Sequence, residues 1–200
     1  MSDNIKTAIT LFLITLISGL ALGAVYGVTK EPIALANQQA TMEAYESLIP
    51  GAAEYQEKTE DPSLTAAADD SVTVDSLVVA VDESGADMGY IVTVTSHSGY
   101  GGDIQMTVGY AEQDGQIVNT GISFLSIAET AGLGMNADTD EFKSQFVGKT
   151  AADQLTVTKT GNAGATEVNA ISGATVTTSA VTSAVNAANL CVQAYLGANG

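Results

Sequence analysis

The sequence has no arginine and no tryptophan, a single cysteine and a single histidine, and only six lysines against 23 acidic residues. The resulting net charge of -17 leaves too few cations to neutralise nucleic-acid phosphates, so we expect no nucleic-acid partner. Cys191 cannot form an intramolecular disulfide. One cysteine and one histidine cannot supply the ligands of an iron–sulfur cluster or of a His-rich metal site. Any redox chemistry therefore requires an organic cofactor.

Catalytic side-chain sets are equally scarce. His97, between Ser96 and Ser98, is the one candidate for a hydrolase base, and no Gly-x-Ser-x-Gly segment accompanies it. The acidic residues cluster in presumed loops without the pairing that acid–base catalysis uses. The sequence does not predict a hydrolase.

The N-terminal region carries a long uncharged run. Residues 7–29 lie between Lys6 and Lys30 and are long enough to cross a bilayer as one helix. A removed signal peptide cleaved near residues 21–23 remains an alternative, although secretory apolar regions are shorter. The flanking lysines balance each other, so the positive-inside rule gives almost no orientation. The short tail, residues 1–6, favours a cytoplasmic N-terminus, which places the acidic domain outside the cytoplasm on a single-pass anchor in contact with membrane lipid.

Residues 30–71 predict a membrane-proximal helix followed by a linker. Polar helix formers alternate with apolar residues from Lys30 onward, Pro32 suits a first helical turn, and Pro50-Gly51 ends the pattern. The acidic segment from Glu54 to Ser71 is typical of a surface loop.

Residues 72–200 change to an apolar period of two, which predicts β-strands. A short helix over Asp140–Phe146 and a strand over Leu155–Thr158 follow, then a closing helix with Thr177, Thr178 and Ser179 as its N-cap. Strands first and helices late indicate an α+β domain with an antiparallel sheet and flanking helices. The four sheet strands are predicted over residues 72–79, 90–95, 104–110 and 116–125.

Glycine-rich loops punctuate this domain at Ser98–Gly102, at Glu129–Gly134 and at Ala170–Ser179. None has the spacing of a P-loop or of the dinucleotide fingerprint. Each alone is most simply a turn. The last one leads directly into a helix, and a helix N-terminus is a ready anion site because free N–H groups and the positive dipole end converge there.

Together these segments resemble a known family. Ser172-Gly173-Ala174-Thr175, followed by Val176-Thr177, resembles the flavinylation motif of FMN-binding domains in the RnfG and NqrC family. Residues 98–102 resemble that family's Gly-Tyr-Gly-Gly loop, and residues 129–134 its Glu-Thr-Pro-Gly-Leu-Gly loop. The N-terminal span running into Lys30-Glu31-Pro32-Ile33 is similar too, so the resemblance covers nearly the whole chain.

The resemblance implies FMN joined by a phosphodiester to Thr175, attached by a flavin transferase that uses FAD and Mg²⁺. It implies an electron carrier within an ion-translocating ferredoxin:NAD⁺ oxidoreductase, moving Na⁺ or H⁺, whose other membrane and peripheral subunits are its partners. The chain would be a redox subunit of this translocase rather than a catalyst alone. The candidate cofactor-binding residues are Tyr100, Gly101, Glu129, Thr130, Leu133, Gly134, Ser172, Gly173, Ala174, Thr175, Thr177 and Thr178.

The chain departs from the family pattern at three positions. Asn169 stands where relatives often have Asp, Ala131 replaces a usual Pro, and Ile127 stands where His is frequent. A second Gly-Ala-Thr ends at Thr166, but it lacks the preceding hydroxyl residue and does not lead into a capped helix. We therefore expect attachment at Thr175 and not at Thr166.

Two other functions agree with the same sequence. One is a cofactor-free, acidic cell-surface binding or structural domain on a membrane anchor. The other is a stand-alone extracellular flavoprotein with a different electron partner. Covalent flavin distinguishes the first from the electron carrier, and co-purification with membrane partners distinguishes the second.

Overall fold

The computed structural model of the protein describes residues 3–58 and 71–199. The chain divides into two compact units, one up to Thr41 and one from Met42 onward. Most of the predicted linker, including Pro62 and the run at residues 66–70, lies outside the described residues.

A single long helix, α1 (Asp3–Leu48), takes up the N-terminal region. It is long and apolar enough to cross a membrane by length and composition. The membrane-proximal helix predicted from Lys30 is present, but it is continuous with the apolar span, because Pro32 lies inside α1. A proline removes one backbone hydrogen bond, but the residues on either side of Pro32 are good helix formers, which favours a continuous helix.

The second unit contains a five-stranded antiparallel sheet with strand order β1-β2-β3-β4-β5. Each of the last four strands follows its sheet neighbour along the chain, so the predicted antiparallel meander is confirmed. The prediction of a loop from Glu54 is wrong at its start, where β1 pairs with β2. Glu54 lies opposite Val81, and Glu57 lies opposite Val78. β1 is a short edge strand, and its polar sequence has no alternation to indicate it. The strands are β1 (Glu54–Glu57), β2 (Val72–Val81), β3 (Asp87–Ser96), β4 (Ile104–Gln113) and β5 (Gln116–Ile127).

The closing helix, α3 (Thr175–Asn199), packs on one face of this sheet. Ala184, Val185 and Ala188 are buried there against strand residues such as Val92 and Met106. The opposite face is covered by the last turn of α1 and the residue after it. Tyr45, Leu48 and Ile49 pack there on Val78, Ala80 and Ile91. The alternation of inward residues along β2 and β3 produces these two apolar faces.

The segment between β5 and α3, residues 128–174, contains only short helices and strands. Its helix α2 (Asp140–Lys143), extended by a 3₁₀ turn over Ser144–Phe146, agrees with the predicted helix. A 3₁₀ helix over Gly134–Asp138 precedes it. The predicted strand is present as β6 (Thr156–Thr158), and it pairs in parallel with a strand that the sequence pattern did not indicate, β7 (Glu167–Asn169).

Candidate functional site

Three loops meet beside the N-terminus of α3. The Tyr100 loop (98–102) follows β3, the Glu129 loop (128–134) follows β5, and the Thr175 loop (170–175) leads into α3. Between them lies a cavity of about 540 Å³ lined by Tyr100, Glu129, Thr130, Leu133, Gly134, Gly173, Ala174, Thr175, Val176 and Thr177. Because the loops are distant in sequence, only the fold brings them to one place.

A carboxylate fastens the first two loops together. Glu129 Oε1 accepts a hydrogen bond from the Tyr100 backbone N–H at 2.8 Å. Gly101 packs so closely on the backbone of Ala128 that a Cβ there would overlap the Ala128 carbonyl oxygen. The tip of the Tyr100 loop is thus held against the end of β5, while the Tyr100 ring itself stays 76% exposed.

The base of the Tyr100 loop is closed by the only histidine. His97 Nδ1 lies 3.1 Å from Asp103 Oδ1, and its Nε2 lies 2.9 Å from Thr73 Oγ1. His97 and Asp103 flank the loop on either side, so their pairing draws its two ends together. The contact with Thr73 also connects the base of the loop to β2.

The Glu129 loop presses on α3 at Gly134. A Cβ at this buried glycine would lie 2.6 Å from Glu129 Oε2 and 2.7 Å from Thr177 Oγ1. No side chain larger than hydrogen fits without displacing one of these groups. The glycine therefore allows a carboxylate and the first turn of the helix to approach each other at the cavity wall.

The start of α3 differs from the prediction. The helix begins at Thr175, so Thr177, Thr178 and Ser179 lie within its first turns and are not its N-cap. The cause is the preceding turn, in which Gly173 takes φ 76° and the Ala174 N–H bonds to the Ile171 carbonyl at 3.0 Å. This turn redirects the chain, and the helical bonds begin with the Thr178 N–H donating to the Ala174 carbonyl.

As a result, Thr175 is the first residue of a 25-residue helix and lines the cavity. The backbone N–H groups of Thr175, Val176 and Thr177 precede the first helical bond and have no partner among the described residues. Free donors and the positive end of the helix dipole thus meet at the cavity wall. Among the residues that the structure describes, no lysine lines the cavity, and Glu129 is the one charged lining residue.

Most of the predicted cofactor-binding residues line this cavity, but three do not. Ser172 lines a second cavity of about 430 Å³ together with Asn169 and Gln145. Gly101 packs behind the Tyr100 loop, and Thr178 is fully buried beneath the Thr175 loop. The contact of the lining residues with a cofactor stays a prediction.

Sequence reasoning left one lining residue out. Val176 is 52% exposed and lies beside Thr175 at the cavity. An apolar residue at the second position of a helix gives no local sign of its exposure, which depends on which face of α3 meets the sheet. With Tyr100 and Leu133 it forms an exposed apolar rim around the opening.

The second Gly-Ala-Thr lies in a different setting. Lys149 Nζ binds the carbonyls of Gly164 and Ala165, at 3.3 and 2.7 Å, and Glu167 Oε2 accepts from the Gly164 N–H. The segment then enters β7 and not a helix. Thr166 therefore lacks the free helix N–H groups that adjoin Thr175.

Comparison with known proteins identifies the class of this domain. The family of FMN-binding domains matches residues 99–189, a stretch that begins in the Tyr100 loop and ends in α3. It therefore includes every residue that lines the cavity. The C subunit of the Na⁺-translocating NADH-quinone reductase from Parabacteroides distasonis has the same fold, with a TM-score of 0.50 at 20% identity over 77% of this chain and 81% of that one.

Two curated relatives extend the similarity to nearly the whole chain. The G subunit of the Na⁺-translocating ferredoxin:NAD⁺ oxidoreductase complex of Acetobacterium woodii is 32% identical over 194 residues, covering 95% of this chain and 90% of that protein. The G subunit of the ion-translocating oxidoreductase complex of Methanosarcina acetivorans is 32% identical over 200 residues, covering 98% and 100%. The chain belongs to this family of RnfG/NqrC-type FMN-binding proteins.

Proposed function

We propose that this protein is a membrane-anchored electron carrier whose FMN is covalently bound through its phosphate to Thr175. The observation that carries the proposal is the position of Thr175, which is the first residue of α3 and lines a cavity built by all three family loops. The cavity volume of about 540 Å³ lies within the usual range of cofactor sites.

The start of α3 suits a phosphodiester. Such a group keeps one negative charge, and in a chain of net charge -17 it needs donors that are fixed in place. The free N–H groups of Thr175, Val176 and Thr177 supply them without a lysine. The close approach that Gly134 permits keeps the Glu129 loop against the same helix turn.

The apolar rim suits the flavin ring. Tyr100, Leu133 and Val176 offer exposed apolar surface around the opening, which can hold a flat aromatic ring. The flavin supplies the electron-transfer chemistry, and the protein binds and orients it. The acceptor and donor groups nearest the ring are then those of the Tyr100 and Glu129 loops.

Attachment requires a hydroxyl nucleophile at this position. The Thr175 Oγ1 atom forms a bond to the phosphorus of the FMN half of FAD, and the bond from that phosphorus to the bridging oxygen breaks. AMP leaves with the bonding electron pair, and the hydroxyl proton passes to a base of the flavin transferase or to water. The described lining of the cavity offers no cation to the diphosphate, so Mg²⁺ held by the transferase would supply the neutralising charge.

The names of the relatives indicate where such a carrier works. Both are subunits of ion-translocating oxidoreductase complexes, and one of these complexes uses ferredoxin and NAD⁺. We propose that this chain is the corresponding subunit, with its partners among the other membrane and peripheral subunits. The apolar span of α1 anchors it in the membrane, with the flavin domain outside the cytoplasm.

The proposed attachment is tested by whether flavin stays bound to the chain after denaturation. Co-expressed with the transferase, the full chain should give a fluorescent band on a denaturing gel, and Thr175→Ala should abolish it. Thr166→Ala is the matched control, since it alters the other Gly-Ala-Thr and should leave the band unchanged. Flavin that washes away, or a band that survives Thr175→Ala, contradicts the proposal. Co-purification with integral-membrane subunits separates a member of the complex from a stand-alone flavoprotein.

A further inference from the structure

The hydroxyl of Thr178 joins both ends of the turn that precedes Thr175. Thr178 Oγ1 accepts a hydrogen bond from the Ile171 N–H at 3.0 Å and donates one to the Ala174 carbonyl at 3.0 Å. The same carbonyl also accepts from the Thr178 backbone N–H at 3.1 Å. One side chain therefore holds the first and the last residue of the turn.

The turn itself has the form of a type II turn. Its first carbonyl, of Ile171, accepts from the Ala174 N–H at 3.0 Å, and Gly173 occupies the position that needs a positive φ. Only this one backbone bond closes the turn from within. The two bonds of Thr178 add a second closure that fixes the turn to the helix.

Thr178 has no route to direct contact with a cofactor. Its side chain is fully buried, and it does not line the cavity that Thr175 faces. Its influence on the site passes through the Ala174 carbonyl, which belongs to the peptide that links Ala174 to Thr175. Holding this carbonyl holds the backbone from which the Thr175 hydroxyl projects.

We infer that Thr178 is a positioning residue for flavin attachment, which fixes the Thr175 loop so that the Thr175 hydroxyl meets the donor phosphorus in line. The inference rests on the proposed attachment at Thr175. Without the hydroxyl, the Ile171 N–H and one acceptor site of Ala174 lose their partner, and the nucleophile samples positions that do not react. A displacement of about 1 Å at a reacting group costs roughly a hundredfold in rate.

The helix provides a matched control one turn further on. Thr182 is also buried, and its hydroxyl donates to the Thr178 carbonyl at 2.8 Å, the same bond to the residue four earlier. It makes no bond to the Thr175 loop. Thr182→Val therefore removes a buried hydroxyl from α3 and leaves the turn untouched.

The experiment measures the initial rate of flavin transfer to the purified full-length chain in detergent, with transferase, FAD and Mg²⁺. We expect Thr178→Val to lower the rate at saturating acceptor chain at least about tenfold. Thr178→Ser restores the hydroxyl and should react close to the wild-type rate, as should Thr182→Val. A loss confined to the maximal rate, with little change in the acceptor concentration for half-saturation, is the sign of positioning and not of weaker transferase binding.

The outcomes separate the proposed attachment at Thr175 from the proposed role of Thr178. An unlabelled wild-type chain overturns the proposed attachment itself. Labelled wild type with Thr178→Val at an unchanged rate overturns the role of Thr178, and so does an equal slowing by Thr182→Val. If the valine variant does not fold, Thr178→Ala removes the same hydroxyl without adding a methyl group, and the same slowing is expected of its folded fraction.

Discussion

Replacing Gly134 with alanine tests the contact between the Glu129 loop and α3. The new Cβ would lie 2.6 Å from Glu129 Oε2, 2.7 Å from Thr177 Oγ1 and 2.8 Å from Glu129 Cβ. The carboxylate can swing away, but the Glu129 Cβ moves only with its backbone. Overpacking of this kind costs about 1–3 kcal/mol, and the loss of glycine's freedom in the unfolded chain offsets about 0.4–1 kcal/mol of it.

The expected net loss in the free energy of unfolding is about 1–2 kcal/mol, which lowers the thermal midpoint of a chain of this size by about 2–8 °C. Thermal unfolding of the full chain in detergent, followed by circular dichroism, measures this shift. Flavin labelling of the same variant should fall, because the Glu129 loop moves away from the start of α3.

Gly164→Ala is the control for this substitution. A Cβ at Gly164 meets nothing closer than Glu167 Oε2 at 3.4 Å. The midpoint of Gly164→Ala should therefore equal that of the wild type or exceed it by up to about 4 °C, because the unfolded chain loses glycine's freedom, and its labelling should match that of the wild type. An unchanged midpoint and unchanged labelling in Gly134→Ala would refute the close packing of the loop on the helix.

Two further predictions concern the Tyr100 loop and the sheet. Glu129→Ala should speed hydrogen exchange at the Tyr100 amide at least about tenfold, since the amide loses its bond to a charged acceptor. Glu129→Gln keeps an acceptor and should keep most of the protection. Equal exchange rates in the two variants would argue against the clamp. Burial, with the hydrogen bond to Asp87, raises the pKa of Tyr90 to about 12 from its ordinary value of 10.0. Because the pKa is higher in the folded state, the stabilisation from neutral Tyr90 is complete below pH 10 and is lost as the pH rises toward 12. Tyr90→Phe should therefore reduce the fall of the thermal midpoint between pH 10 and 12. An unaltered fall would contradict the assignment of this pH dependence to Tyr90.

Much of the fold was predictable because its signals are local. The alternation in β2 to β5 reflects strands with buried residues facing α3 or α1, and the Asp114-Gly115 turn between β4 and β5 carries the residues that a tight hairpin needs. The edge strand β1 and the short strand β7 had no such signal. Their pairing depends on strands elsewhere in the chain. A strand of three or four residues is too short to show an alternating pattern of its own.

The candidate site also has features that the local sequence predicted and one that it did not. Residue types and order pointed to Thr175, to the Tyr100 loop and to the Glu129 loop, because a motif is a local arrangement with a resemblance to known ones. The predicted start of α3 was wrong, since two features override the capping preference of Thr177 and Ser179. They are the turn at Gly173 and the hydrogen bond that the Ile171 N–H donates to Thr178 Oγ1.

By itself, the sequence determined the composition of the site, the apolar anchor and the periodicities of the sheet, all of which depend on neighbours along the chain. Only the tertiary structure decided which of those residues meet. The clamp of Glu129 on Tyr100 spans 29 residues, and the contact at Gly134 joins the Glu129 loop to a helix that begins 41 residues later. Such contacts form when the sheet and α3 bury their apolar faces against each other, and burial of a whole face is a property of the assembled chain.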